Sequence, residues 1–125
     1  MRNDNIIVLK SKDFALRIIR LYVFLTESKR EYVLSKQILR CGTSIGANVK
    51  EAMREQSKPD FYSKLNIALK EANETDYWLR LLYKTEYLNE NEYNSISKNI
   101  NEIIALLVSI TKTMKSTLQT ERKKE

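Results

Sequence analysis

The chain is short of several residue types, and each shortage excludes a class of structure or chemistry. Its 125 residues include no histidine, one cysteine, one proline and two glycines. Without histidine, neither a Ser-His-Asp triad nor the histidine ligands of zinc and di-iron sites can be built. A single cysteine, Cys41, allows no intramolecular disulfide, so we expect a reducing, cytoplasmic environment.

The scarcity of glycine and proline also bears on the fold. Turns and hairpins are rich in glycine and proline, so a chain with so few of these residues is not expected to be all-β or α/β. The longest strongly apolar stretch, Ile103 to Val108, is far shorter than the ~20 residues of a membrane-spanning helix. The N-terminal residues lack a secretory cleavage pattern. The sequence thus predicts one all-helical domain over residues 1–125, without a membrane partner.

Four segments show the spacing of amphipathic helices, with apolar residues every three or four positions. They cover about residues 10–28, 34–57, 59–86 and 90–118. Ser57 with Asp60, and Asn89 with Glu92, are typical helix-start pairs, and Ser35 is a candidate cap for the second helix. The short connections predict an up-down-up-down antiparallel four-helix bundle, followed by a frayed charged tail over 119–125.

Both glycines lie in one stretch, Gly42 to Gly46, whose letters GTSIG match the G-x-S-x-G pattern of serine hydrolases. That pattern needs a strand before the serine and a base beside it. Here helical spacing runs through both glycines, and Lys50 would lie on a different helix face from Ser44. A phosphate-binding loop is excluded as well, because no Gly-Lys-Ser/Thr follows. We therefore expect no enzymatic activity.

Metal binding has only a weak candidate. Four carboxylates of helices two and three could face each other across the bundle: Glu51, Glu55, Glu71 and Glu74. Carboxylates in this setting are more often ion-pair partners of lysine and arginine than metal ligands. We expect no metal site and no cofactor.

Small residues in the second and third helices indicate close helix packing. The set comprises Gly42, Gly46, Ala47, Ala68 and Ala72. Glycine inside a helix costs about 1 kcal/mol relative to alanine, so a close backbone approach is expected to offset it. An antiparallel register that places Ile45 near Ala72 predicts helix three as the neighbour. A partner subunit could use the same groove instead.

The net charge of +6 and one face of helix two suggest an anionic ligand. At 100° per residue, four cations share that face: Lys36, Arg40, Lys50 and Arg54. On helix one, Arg17 aligns with Lys10, and Arg20 lies at the edge. Such a row can follow a phosphate backbone. The alternative is a solvated face with intramolecular ion pairs, for example between Arg40 and Asp76.

Two longer stretches resemble a known family. They are LSKQILRCGTSIGANVKEA from Leu34 and FYSKLNIALKEANETDYWLRLL from Phe61. They resemble the 23S rRNA intervening-sequence proteins and are similar to accessory proteins of diversity-generating retroelements. The resemblance implies a four-helix bundle that assembles as a homopentamer, associates with nucleic acid and lacks catalytic activity. For the retroelement relatives it also implies a reverse-transcriptase partner.

Two functions therefore remain open. The first is an oligomeric, non-enzymatic protein that binds structured RNA or DNA through its phosphates by charge and shape. The second is an oligomeric adaptor for a protein partner, in which the charge serves solubility. The aromatic cluster Tyr77, Trp78, Tyr83 and Tyr87 exceeds what one core stripe can hold, which favours additional contacts with neighbouring helices or subunits.

Overall fold

Four helices make up the protein, and the computed structural model describes residues 2–124, with side chains from residue 5 onward. The helices are α1 (Arg2–Glu27), α2 (Leu34–Ala52), α3 (Lys58–Lys84) and α4 (Glu90–Lys124). Each helix packs against the next in sequence, and α1 also meets α4. The diagonal pairs, α1 with α3 and α2 with α4, make no close backbone approach within the described residues. The predicted antiparallel four-helix bundle is confirmed.

Three helix boundaries differ by more than two residues from those predicted. Helix α1 begins at Arg2, because Ile7 and Ser11 are buried and extend the inward stripe of Phe14 and Ile18. Helix α2 ends at Ala52, and residues 53–57 form the turn to α3. Helix α4 continues past the predicted end at residue 118 to Lys124, across the segment for which fraying was predicted.

The core lies along the central axis and is almost entirely aliphatic. Its largest fully buried side chains come from all four helices: Ile7, Ile18, Leu25, Ile38, Ile45, Val49, Leu65, Leu79, Leu82, Ile100, Ile103 and Leu107. The three- and four-residue spacing of these positions is that of a bundle seam. Since one face of each helix is buried in this core, the opposite faces are available for other contacts.

The helix starts combine confirmed caps with one unexpected cap. Ser57 Oγ accepts the backbone N–H of Asp60, and Asn89 and Glu92 exchange reciprocal side-chain-to-backbone hydrogen bonds, as predicted. At α2, Ser35 does not cap the helix. The buried Glu31 carboxylate instead accepts the N–H groups of residues 33, 34 and 35, at 3.0, 3.0 and 2.6 Å.

Two turns adopt the left-handed backbone conformation without glycine. Arg30, after α1, has φ of 52°, and Glu86, after α3, has φ of 68°. Glycine normally takes such positions because it carries no Cβ. In this chain both glycines are inside α2, which shows that they serve packing rather than turns.

Candidate nucleic-acid interface

The outward face of α2 presents the exposed cations Lys36 and Lys50, and Arg54 is exposed in the turn that follows the helix. Lys36 and Lys50 are separated by about 21 Å along the helix at 1.5 Å per residue. Arg54 follows just after the helix ends at Ala52. Between Lys36 and Lys50 this face carries Arg40 and two small residues, the half-buried Thr43 and the exposed Ala47. We refer to Lys36, Lys50 and Arg54 together as the cation row.

The cation row is not neutralised from within the bundle. Among the side chains of residues 5–124, none forms an ion pair with Lys36, Lys50 or Arg54. Glu51 is the carboxylate next to Lys50 in sequence, and it pairs instead with Lys64 of α3 at 3.4 Å. The positive charge of the row is therefore available to a ligand.

Arg40, the fourth cation predicted for this face, is already engaged. Its guanidinium donates to Glu71 Oε2 at 3.2 Å and to Glu74 Oε2. Desolvation lowers the pKa of Arg40, but the two nearby carboxylates outweigh that effect and raise it. The sequence register suggested Asp76 as partner, but Asp76 pairs with Arg80 one turn along α3. The structure thus divides the predicted face into a free row and a neutralised arginine.

The two arginines predicted on α1 lie on a different side of the bundle from the cation row. Arg17 donates to the carbonyl oxygen and hydroxyl of Ser95, at 3.3 and 2.7 Å, and to the side chain of Asn99. It therefore ties α1 to α4. Arg20 is exposed, and both arginines line a cleft of about 590 Å³ between these helices.

This cleft has mixed charge. Three cations and three carboxylates line it: Lys10, Arg17, Arg20, Asp13, Glu92 and Glu102. Its apolar lining includes Phe14 and Phe24. Lys10 forms an ion pair with Glu102 at 2.9 Å, and this hydrogen bond lowers the pKa of Glu102. Since cations and carboxylates balance here, the cleft offers less net positive charge to an anion than the cation row does.

The glycines of α2 face α1, whereas the antiparallel register predicted α3. A Cβ atom added to Gly42 would lie 2.7 Å from Ile18 Cγ1, and one added to Gly46 would lie 3.1 Å from the carbonyl oxygen of Ser11. The close approach is thus between helices of one subunit. Ala68 and Ala72 of α3 are fully buried, whereas Ala47 is exposed and lies outside the packing interface.

No reactive group accompanies the GTSIG stretch. The Ser44 hydroxyl donates to the Arg40 carbonyl oxygen one turn earlier, at 2.6 Å. Burial raises the pKa of the neighbouring Cys41 thiol to about 11, so the thiolate is disfavoured at neutral pH. Glu71 and Glu74 bind Arg40 rather than converging on a cation site. Within the described residues, no cluster of possible metal ligands is present.

Sequence reasoning missed a second group of exposed cations near the end of α4. It comprises Lys112, Lys115, Arg122, Lys123 and Lys124. Glu121, in the same segment, pairs with Lys58 at the start of α3, which places this group at the same end of the bundle as Arg54. The sequence did contain a signal for this group: no glycine or proline follows Asn89, so the fourth helix can continue through the segment that carries these cations.

The described residues define the class of protein: an all-helical four-helix bundle with a row of exposed cations on one side. The chain belongs to the 23S rRNA-intervening sequence protein family, whose model matches residues 3–109. It is similar to a crystal structure from Bacteroides thetaiotaomicron, described as a protein of unknown function from the S23 ribosomal protein family.

That similarity is extensive: 57% sequence identity and a TM-score of 0.87, covering 88% of this chain and 98% of the other. No curated protein matches the chain. Within residues 2–124, none of the helices has an apolar stretch long enough for a bilayer crossing. The family model and the 57% identical crystal structure confirm the predicted family.

Proposed function

We propose that the protein is a non-enzymatic, self-associating helical bundle that binds structured nucleic acid through phosphate contacts of the cation row. The single observation that carries the proposal is the exposure of Lys36, Lys50 and Arg54 without an ion-pair partner among the described side chains. The small residues Thr43 and Ala47 leave room for a backbone to lie along the face. The net charge of +6 adds long-range attraction.

The dimensions of the row suit a nucleic-acid backbone. A duplex carries one phosphate charge per ~3.4 Å of axis on each strand, so a row of about 21 Å spans several phosphates. Contacts of this kind fix position and affinity and carry little sequence information. The name of the family, 23S rRNA-intervening sequence protein, favours RNA as the first ligand to test.

The experiment is a salt series of RNA-hairpin binding, followed by fluorescence anisotropy. The row variant carries Lys36→Glu, Lys50→Glu and Arg54→Glu. The control carries Lys29→Glu, Lys84→Glu and Lys98→Glu, which change the net charge equally at exposed positions on other parts of the bundle. Each lost phosphate contact lowers the slope of log K against log salt by about 0.7–0.9.

We expect the row variant to lose a slope of about 2 to 3 and the control to keep the wild-type slope. A wild-type affinity that does not respond to salt contradicts phosphate binding altogether. Equal loss in both variants contradicts the assignment of binding to the α2 face, because it shows that only net charge matters.

We also propose self-association, as a homopentamer by the family resemblance. Exposed apolar side chains on α1 and α3 support it, since a monomer gains nothing from exposing them. Light scattering coupled to size-exclusion chromatography measures the mass directly. A mass of one chain at micromolar concentration contradicts the assembly.

A second candidate function is an adaptor for a protein partner, such as a reverse transcriptase. Tyr32 and Val33, in the turn before α2, are 54% and 72% exposed, which favours a protein contact at that end. Co-purification from the native host with and without nuclease separates the two functions. A partner retained after nuclease treatment supports the adaptor, and one lost with the nucleic acid supports the leading proposal.

A further inference from the structure

Helix α4 continues beyond the part of the chain that matches the family model. The helix runs to Lys124, whereas the match ends at residue 109. The ion pair of Lys10 with Glu102 fixes the antiparallel register of α1 and α4, so Arg2, where α1 begins, lies level with about residue 110 of α4. We refer to residues 112–124 as the α4 extension. Of the described helices, α3 is the one that accompanies it.

The α4 extension is held in place along one side. Met114 and Leu118 are half-buried, and the Glu121 carboxylate accepts a hydrogen bond from the Lys58 ammonium at 2.5 Å. Because α3 begins at Lys58, residues 122–124 continue past the start of that helix. The extension is therefore a positioned helix that leaves most of its circumference open to a ligand.

The extension is strongly cationic. Glu121 is its one carboxylate among the described residues, and that group is already paired with Lys58. The side chains of residues 5–124 supply no ion-pair partner for its cations. All five cations are exposed: Lys112, Lys115, Arg122, Lys123 and Lys124. Their charge is available to an external anion.

The helix dipole accounts for only some of these cations. Lysine and arginine in the last turn of a helix offset the negative end of its dipole, and Arg122, Lys123 and Lys124 lie there. The effect fades beyond that turn. Lys112 and Lys115 lie about two to three turns before the end, so the dipole gives no reason for their placement.

Hydroxyl groups lie between the cations of the extension. A shallow cavity of about 550 Å³ runs along this part of α4, and every residue that lines it is polar. Its lining comprises Lys112, Lys124, Thr113, Ser116, Thr117, Thr120 and the engaged Glu121. Lysine and hydroxyl side chains are common donors to phosphate oxygens. The lining thus suits a phosphate chain better than an apolar ligand.

The extension lies at the end of the bundle where the cation row ends. The pair of Lys58 with Glu121 places it near Arg54, the last member of that row. Helices α2 and α4 are diagonal, so their outward faces point in opposite directions. The path from one to the other around this end crosses about two interhelical distances, roughly 20 Å.

This arrangement restricts the form of a ligand that reaches both surfaces. A duplex is stiff, with a persistence length of ~150 bp for DNA, so a stem that lies on the cation row does not bend around the end of the bundle. A single strand that leaves the stem near Arg54 can make this turn, because it lacks the rigidity of paired strands.

We propose that the α4 extension is a second phosphate-binding surface, which holds the single-stranded segment of a nucleic acid whose duplex stem lies on the cation row. This inference rests on the proposed function and names the form of the ligand: a stem with an adjoining single strand. The extension then adds affinity for that ligand and contributes no contact to an isolated stem.

The first test compares one RNA hairpin without a tail and with a single-stranded uridine tail, on either its 5′ or its 3′ end, that can span roughly 20 Å. Fluorescence anisotropy over a salt series measures binding. The extension variant carries Lys112→Gln, Lys115→Gln and Lys123→Gln. The control carries Lys29→Gln, Lys84→Gln and Lys98→Gln, which remove the same charge at exposed positions elsewhere. Glutamine has nearly the helix propensity of lysine, so the helices are retained.

We expect the tail to increase the affinity of the wild type and to make its salt dependence steeper. Each contact of a single strand adds about 0.7 to the slope of log K against log salt, so three lysines add about 2. The control should keep this increment. The extension variant should bind the hairpin without a tail with the wild-type slope and lose the increment that the tail provides.

The outcomes separate this inference from the proposed function. A wild-type affinity for the hairpin that does not respond to salt overturns the proposed function, and this inference with it. Salt-dependent binding of the hairpin without any gain from either tail overturns this inference alone. An increment that persists in the extension variant, or that the control loses equally, also overturns it.

A second test uses the wild-type chain. An amine-reactive ester modifies exposed lysines, and mass spectrometry measures the extent at each position. We expect the hairpin with a tail to protect Lys112, Lys115 and Lys123, and the hairpin without a tail to leave them reactive. Lys84 and Lys98 should react equally in all samples. Equal modification of the three extension lysines with and without the bound, tailed hairpin overturns the proposal.

Discussion

Gly42 is the position where the bundle depends on the absence of a single methyl group. Glycine in a helix interior costs about 1 kcal/mol relative to alanine, so Gly42→Ala would be stabilising at an open site. Here the added Cβ would lie 2.7 and 2.9 Å from the two γ-carbons of Ile18, which is fully buried, so that side chain or the backbone must shift. The steric cost and the propensity gain therefore oppose each other.

We predict that Gly42→Ala lowers the free energy of unfolding by up to about 2 kcal/mol, because overpacking costs typically about 1–3 kcal/mol and the propensity gain offsets about 1. Urea denaturation of wild type and variant measures the difference. In an Ile18→Ala background, where the conflicting γ-carbons are gone, the same substitution is expected to become neutral or stabilising. Equal destabilisation by Gly42→Ala in both backgrounds would rule out the contact with Ile18 as the cause.

Periodicity predicted that both glycines lie inside a helix, but it did not identify their neighbour. A helix in a four-helix bundle has two adjacent helices, on either side of its core stripe. The antiparallel register predicts only which residues of α2 and α3 lie at the same height along the bundle. It does not predict which side of α2 faces α3. Which flank of α2 faces α1 depends on the handedness of the bundle, which a single stripe does not reveal.

At the scale of the helix, α2 owes its start to a carboxylate outside it. The buried Glu31 accepts three backbone N–H groups at the N-terminus of α2, where the helix dipole also favours negative charge. Burial by itself raises the pKa of Glu31, but the three hydrogen bonds outweigh it and lower the pKa. Because the folded-state pKa lies below the unfolded one, ionised Glu31 stabilises the fold at neutral pH.

We predict that Glu31→Gln costs about 1–2 kcal/mol at pH 7, since it removes charge-assisted hydrogen bonds and leaves weaker ones. Linkage requires the contribution of Glu31 to be lost as pH falls through its lowered pKa. The difference between wild type and variant should therefore shrink on acidification from pH 7 to pH 3. Urea titrations at both pH values, with exposed Glu27→Gln as control, measure it. A difference that is independent of pH would contradict a role for the charge.

The helices were predictable from the sequence to different degrees. Ser57 and the Asn89–Glu92 pair were recognisable because they obey local rules within four residues. The Glu31 cap follows no such local pattern, because its carboxylate reaches the helix from a turn whose path depends on tertiary packing. The end of α4 was set too early because its last residues are polar and lack a core stripe, although nothing in them breaks a helix.

At the scale of the whole molecule, ion pairs between helices determine which cations of the basic face are neutralised within the described residues. Helical projection correctly placed Lys36 and Lys50 on an outward face of α2, because exposure follows from the angle relative to the core stripe, whereas Arg54 is exposed in the turn after the helix. It could not foresee that Arg40 is neutralised by two carboxylates of α3, because that depends on side-chain reach between helices. The pairing nevertheless offers a way to test the face without removing a cation.

We predict that Glu71→Gln combined with Glu74→Gln strengthens RNA binding and makes its salt dependence steeper. The double variant releases Arg40 beside the cation row, and one added phosphate contact increases the slope of log K against log salt by about 0.7–0.9. The control, Glu92→Gln with Glu102→Gln, adds the same net charge at the α1–α4 cleft and releases Lys10 there. If RNA lies on the α2 face, the control raises affinity through net charge alone and keeps the wild-type slope. Equal slopes in the two variants would show that Arg40 is not part of the binding face.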